Sequence, residues 1–379
     1  MKTFGLILLI FLFSCQTEIK DFKQVSSDSL ITIEASFSNA EEKHRVYISY
    51  ASPNITGVTD EIPVSGATVN ITDDRGLKID FPELEKGVYE SAVIAGVSGN
   101  KYTLDITLED GKRFQSSAEQ MPEVREIKAI ESGFSVKTNL AETDPQRLGF
   151  DVTLSFQDSP TEGQYYQWDW VHYARTVFCA SCNNGYDYSK GECGANTDVL
   201  PIYELSNSIR PINYPCSENC FDVLRPAQFN IFADNLSNGQ LISNVPISRV
   251  PFDGAADYYL QIEQRSITKK VYEYLRILKD ATQNAGTMFD VPAITPLSPN
   301  IRCITNPEEK VLGVFSVYGV DKRIEFINRQ TDTQGYSQLT KRYPGRSAIT
   351  PPGASRGPVT PCIESRTRTK QTPKGWRIF

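Results

Sequence analysis

Histidine is nearly absent. Of 379 residues only His44 and His172 carry an imidazole, and they lie far apart in the chain. A three-histidine zinc centre is excluded on that count. Basic charge is not in excess either: Lys and Arg number 39 against 46 Asp and Glu, a net charge of −7. That balance argues against nucleic acid as the main partner, because phosphate binding needs a basic surface. No hydrophobic run reaches the roughly 20 residues of a membrane-spanning helix. The phosphate loop G-x-x-x-x-G-K-[ST], the dinucleotide fingerprint G-x-G-x-x-G and the zinc motif H-E-x-x-H are all missing. What is plentiful is core material: 40% of residues are hydrophobic, with 18 Tyr and 19 Phe, so a disordered chain is excluded and two or three globular units are expected.

The N-terminus reads as an address. Lys2 precedes the apolar run 4–13, too short to span a bilayer and typical of a secretory signal. Leu12-Phe13-Ser14-Cys15 then resembles a bacterial lipobox, which makes residues 1–14 a lipoprotein signal peptide and Cys15 the lipidated residue. Acyl chains contribute about 0.8 kcal/mol per buried methylene, so several on Cys15 anchor a chain without any spanning segment. Residues 15–28 are polar and read as a flexible tether.

Seven cysteines remain, and five of them fall within 179–220: Cys179, Cys182, Cys193, Cys216 and Cys220. In an exported chain these are disulfide candidates rather than zinc ligands, and the paired C-x-x-C spacing of a zinc site is not met. Cys303 and Cys362 complete the set, and the odd total leaves one thiol over or linked elsewhere. Spacing alone leaves the connectivity open.

The expected architecture is mainly β: an N-terminal immunoglobulin-like sandwich over 29–121, then a larger β-rich domain over 122–340 with one amphipathic helix. Alternating β-branched and aromatic runs at 30–37, 45–50, 68–72 and 102–108 are separated by Asp73-Asp74-Arg75-Gly76 and Glu109-Asp110-Gly111-Lys112, whose glycines suit hairpin turns. Met121-Pro122 marks the boundary. Beyond it, runs at 150–156, 165–173, 311–318 and 323–327 predict further strands, and 179–220 reads as a cysteine-rich insertion. Val271, Tyr274, Leu275, Leu278 and Ala281 recur at steps of three and four, which predicts a helix over 268–285 capped by Thr268 or Ser266.

Two features invite a functional reading. Tyr166, Trp168, Trp170 and His172 share one face of a strand, either an aromatic platform for a glycan or peptide or, more commonly, the packed face of a sandwich. The segment 341–379 carries nine Lys and Arg against the single acid Glu364, a local charge of +8 that leaves −15 on the remainder. With its prolines it reads as an extended strap, lying on the acidic body or reaching phosphate headgroups or a partner's acidic loops. Gly353-Ala354-Ser355-Arg356-Gly357 matches the hydrolase elbow G-x-S-x-G, but Pro351-Pro352 and Pro358 deny it the strand and helix it needs. A cleft assembled from distant carboxylates would leave no local motif; no catalytic residue, cofactor or metal ligand is nominated, and the reading is non-enzymatic.

Several short motifs run in order along the chain: the lipobox at Cys15, Val64-Ser65-Gly66-Ala67, Gly87-Val88-Tyr89, Tyr102-Thr103-Leu104, Met121-Pro122, Tyr272-Glu273-Tyr274-Leu275, Phe289-Asp290 and Gly313-Val314-Phe315. With these the chain resembles an uncharacterised family of outer-membrane lipoproteins of Bacteroidota, the domain-of-unknown-function family 4249. It departs at its end, where it has only Cys362 and Gly375-Trp376-Arg377-Ile378-Phe379. The resemblance implies an outer-membrane, lipid-anchored accessory protein, its body at the cell surface rather than in the periplasm, that docks on a TonB-dependent β-barrel receptor. No catalytic residue is implied.

Overall fold

The computed structural model describes residues 30–53, 59–194, 210–234, 239–284, 296–338 and 345–377. Cys15 and the tether lie outside these residues. The protein is mainly β, with one helix, Lys269–Asn284, among the described residues.

An 11-stranded sheet forms the frame. Its order runs Arg368–Thr369, Phe221–Leu224, Tyr165–Arg175, Tyr258–Ile267, Val311–Ile327, Leu30–Ser38, Glu42–Pro53, Val88–Ile94, Glu83–Glu85, with Asn230–Ala233 and Thr59–Pro63 paired alongside. The 17-residue strand Val311–Ile327 is its spine. Its first half pairs in parallel with Leu30–Ser38, from Ile31↔Val311 to Ser38↔Tyr318. Its second half pairs antiparallel with Tyr258–Ile267, from Ser266↔Gly319 to Tyr258↔Ile327.

Side chains alternate across a strand, so the spine's odd positions face one side and its even positions the other. Phe315 and Val317 enter a first core, with Ile33, Phe37, Ile48, Leu104 and Phe114. Ile327 enters a second, with Phe150, Leu154, Phe156, Trp168 and Leu260. Both cores therefore sit on the same face of the large sheet. A sheet built around Thr68–Asp73, Lys101–Thr107 and Arg113–Ser116 covers the first; Ile127–Val136, Leu148–Gln157 and Leu241–Pro251 cover the second. The segment 122–124 crosses the spine between them, and a Cβ on Gly319 would stand 2.6 Å from the Pro122 carbonyl oxygen. Only a residue without a side chain lets the two backbones approach that closely.

Residues 29–121 do not close a sandwich by themselves. Ile301–Cys303 pairs with Arg113–Ser116, and Val311, Phe315 and Val317 fill the same core as Ile33 and Phe37. The large sheet runs across the expected boundary at Met121-Pro122. A period of two tells which face is buried but not which strand lies alongside, and a parallel pairing of distant segments leaves no turn signal.

The helix covers the even-numbered face of the spine. Val271, Tyr274 and Leu275 pack with Tyr318 and Val320. Its start agrees with the expected cap: the Thr268 carbonyl accepts from Tyr272 N at 3.0 Å and Thr268 Oγ1 from Val271 N at 3.5 Å.

Candidate functional site

Beyond the packed stripe of the helix, on that same face of the sheet, an open cleft of about 290 Å³ remains. Leu30–Ser38 and Glu42–Pro53 present their outward residues Glu34 and Tyr47 to it; the helix adds Tyr274 and Leu278; Val314 and Phe229 complete the apolar wall. The floor is Gly313, at φ +88°, where a Cβ would overlap the Ile33 carbonyl. That approach holds the floor flat and open.

Charge is confined to the rim. Loss of hydration by its surroundings raises the Glu34 pKa, with Arg366 opposing and Glu61 adding to the rise. Arg366 reaches over the Tyr47 ring at 5.4 Å and lies 3.7 Å from Glu61 Oε2, bringing the C-terminal segment to the mouth of the cleft. Arg45 is committed to Glu90 at 2.8 Å, as is Lys43 at 2.7 Å. Burial alone would raise Glu90, but these two cations hold it below the ordinary carboxylate value. The cleft is thus an apolar recess with one carboxylate, Glu34, that has no hydrogen bond or ion pair among the described residues. A wider hollow of about 500 Å³, near Glu119 and Gln164, has a more polar lining, and its Lys270 is held at 2.9 Å by both Glu119 and Ser117.

Beside the cleft the sheet face carries a paired ionic network. Arg265 Nη2 lies 2.6 Å from Glu263 and 3.0 Å from Asp169, while Lys322 lies 3.0 Å from Glu263 and 2.8 Å from Glu42. Burial would raise Glu263, yet Arg265 and Lys322 bring it down to about 2. Each charge has a partner, which is the condition for keeping ions inside a fold.

The aromatic row resolves as core. Tyr166 and Trp168 are 0% and 4% exposed, and Trp170 packs half-buried against the same cluster. Tyr166 Oη donates to Asp158 Oδ1 at 2.5 Å, and Trp168 Nε1 donates to Gln264 Oε1 at 3.0 Å. With their polar handles used internally, Tyr166 and Trp168 offer no stacking platform, which corrects the ligand-face alternative for this strand. His172 stacks on Tyr258 at 3.5 Å with Nδ1 2.6 Å from the Tyr259 carbonyl oxygen, and His44 bonds the Ile94 carbonyl group at 2.9 Å. Both are packing residues.

Among the described residues the disulfides are Cys179–Cys216, Cys182–Cys193 and Cys220–Cys362, and Cys303 is the buried free thiol. All five cysteines of the 179–220 cluster are used, with Cys362 supplying the sixth sulfur. The sulfurs of Cys179, Cys220 and Cys362 gather within 4.8 Å, but as disulfides they are not thiolate ligands.

The C-terminal segment folds onto the body. Arg346–Ser347 pairs with Ile212–Pro215, and Arg368–Thr369 with Phe221–Leu224. Arg368 meets Asp222 at 2.8 Å, and Trp376 packs on Phe221 and Tyr259 at 4.9 and 5.7 Å. Gly353 to Gly357 is loop, with no strand leading directly into it and no helix following.

The cleft left little trace in the sequence. Its walls come from residues near 34, 47, 229, 274, 314 and 366, and no local window contains two walls. The available signal was Glu34 and Tyr47 on the outward face of otherwise core-forming strands.

No helix among the described residues is long and apolar enough to cross a membrane, which says nothing of β-barrels. No curated protein matches the sequence. Residues 17–324 match the family model described as Domain of unknown function (DUF4249), which covers both cores, the helix and most of the spine. The chain belongs to that family.

Proposed function

We propose that this protein is a non-catalytic, lipid-anchored subunit of the outer membrane that docks on a TonB-dependent β-barrel receptor and assists nutrient uptake. The observation that carries this reading is the apolar cleft beside the helix. It is a recess lined by Tyr47, Phe229, Tyr274 and Leu278, rimmed by Glu34 and Arg366, on a frame stiffened by an 11-stranded sheet. Aromatic pockets with a charged rim are how a few residues supply most of the binding energy in a protein interface. Its occupant is an apolar side chain of a receptor loop with a cationic neighbour, which complements the Glu34 carboxylate, a group without an ion pair among the described residues. The lipobox at Cys15 supports the anchor.

The test is recovery of partners from detergent-solubilised outer membrane, using the native protein and Leu278→Asp. A β-barrel receptor is expected with the native protein and is lost with the variant, whose half-buried site lets the fold persist. Recovery of only the monomer under mild conditions overturns the reading. Cys15→Ser tests the anchor: a product that still partitions with envelopes refutes lipidation.

A further inference from the structure

The three disulfides lie in one lobe, built from residues 175–194, 210–225 and 345–377. Its surface departs from the rest of the molecule. The extended segment Val359-Thr360-Pro361-Cys362-Ile363 alternates strictly: Thr360 and Cys362 point inward at 1% and 5% exposure, while Val359 and Ile363 stand out at 41% and 57%, with Pro361 between them also exposed. The face turned to solvent is thus the apolar one, opposite to the usual order of a half-buried strand. It is held rigidly outward, because the Cys220–Cys362 disulfide and the Thr360 N to Pro215 carbonyl bond of 2.9 Å fix the inner positions. Val177, 51% exposed, is linked to it through Cys216, whose N–H donates to the Val177 carbonyl oxygen at 3.1 Å and which itself pairs with Thr360.

The lobe that carries this row is basic. The described residues of the lobe include eleven Lys and Arg against five Asp and Glu, in a chain of net charge −7. Arg368 and Arg366 are committed to Asp222 and Glu61. Arg356, Lys370 and Lys374 are exposed and have no ion pair among the described residues.

We infer that this lobe is a membrane-contact surface: Val359, Pro361 and Ile363 enter the headgroup boundary of an anionic phospholipid bilayer, and the exposed cations of the same lobe engage lipid phosphates. An exposed apolar row in a lobe rich in Lys and Arg is the pattern of an interfacial protein, and charge complementarity selects an anionic surface over a neutral one. The contact orients the body on the bilayer independently of any acyl chain, and it does not involve the helix-side cleft.

The test uses the mature chain carrying Cys15→Ser, so that no acyl group contributes, in sedimentation with vesicles of phosphatidylglycerol and phosphatidylethanolamine. Binding is expected at low salt, with loss in 0.5 M salt (roughly 4 Å screening length) and on pure phosphatidylcholine. Each cation near an anionic surface is worth about fivefold in partitioning, so the triple change Arg356→Gln, Lys370→Gln, Lys374→Gln lowers binding by about a hundredfold. Val359→Asp with Ile363→Asp abolishes it, while circular dichroism and a count of one free thiol confirm an intact lobe. Absence of binding, or binding equal on neutral vesicles or unchanged in both variants, overturns the inference. Loss of a protein partner in these variants without any vesicle binding also overturns it, in favour of a protein surface. Leu278→Asp should leave vesicle binding unchanged, which separates this result from failure of the receptor reading.

Discussion

Opening Cys220–Cys362 by paired substitution to alanine should cost this fold more than opening Cys182–Cys193 in the same way. The former joins residues 142 apart in sequence and the latter 11. In the chain-entropy account a cross-link restricts the unfolded ensemble more as the closed loop lengthens, which for these separations gives about 5 against about 3 kcal/mol. The longer link also holds the C-terminal segment, whose Trp376 packs between Phe221 and Tyr259 and whose Arg368 meets Asp222. Urea unfolding followed by tryptophan fluorescence reads the stability difference. Near-ultraviolet circular dichroism reads the loss of Trp376 packing, expected for the 220/362 pair and not for the 182/193 pair. Equal losses, or a greater loss from the 182/193 pair, would refute the idea that the long link stabilises by closing the chain onto its own end.

Two further outcomes follow from the frame. Gly313→Ala places a side chain at φ +88° against the Ile33 carbonyl, so the loss should exceed about 2 kcal/mol; Gly353→Ala, at φ +82° with open space around it, should lose only about 1. Thermal unfolding compares them, and equal effects would show that conformation alone, not the close approach, matters at Gly313. Glu263, held at about 2 against an ordinary 4.5, stabilises the fold above pH 4.5 and loses that contribution as pH falls through 2. Glu263→Gln should therefore be destabilised by on the order of 3 kcal/mol at pH 7 and converge with the native protein near pH 2. A difference that persists unchanged at pH 2 contradicts the assignment.

Local periodicity was legible. The helix predicted over 268–285 is Lys269–Asn284, because steps of three and four describe a single face whatever it packs on. The strands near 30–37, 165–173 and 311–318 were equally readable from alternation. The aromatic row shows the limit of such reading: Tyr166 and Trp168 share a face by periodicity, but whether a sheet or a ligand covers that face depends on Phe156, Gln264 and the strand Leu148–Gln157, which periodicity does not name. The division at Met121 failed for the same reason, since the first core borrows Ile301 and Phe315 from the far end of the chain.

By itself the sequence determined the β-rich class, the helix, the disulfide-bonded state of the cysteine cluster and the basic character of the C-terminus, all properties of composition or of short-range period. Tertiary structure alone decided which cysteines pair, which strands adjoin, that Glu34 and Tyr47 meet Leu278 at one cleft, and that Val359 and Ile363 point outward. Those outcomes depend on contacts between residues tens to hundreds of positions apart. The free energy of such a contact resides in the packing of both partners, and neither partner's neighbourhood in the chain records the other.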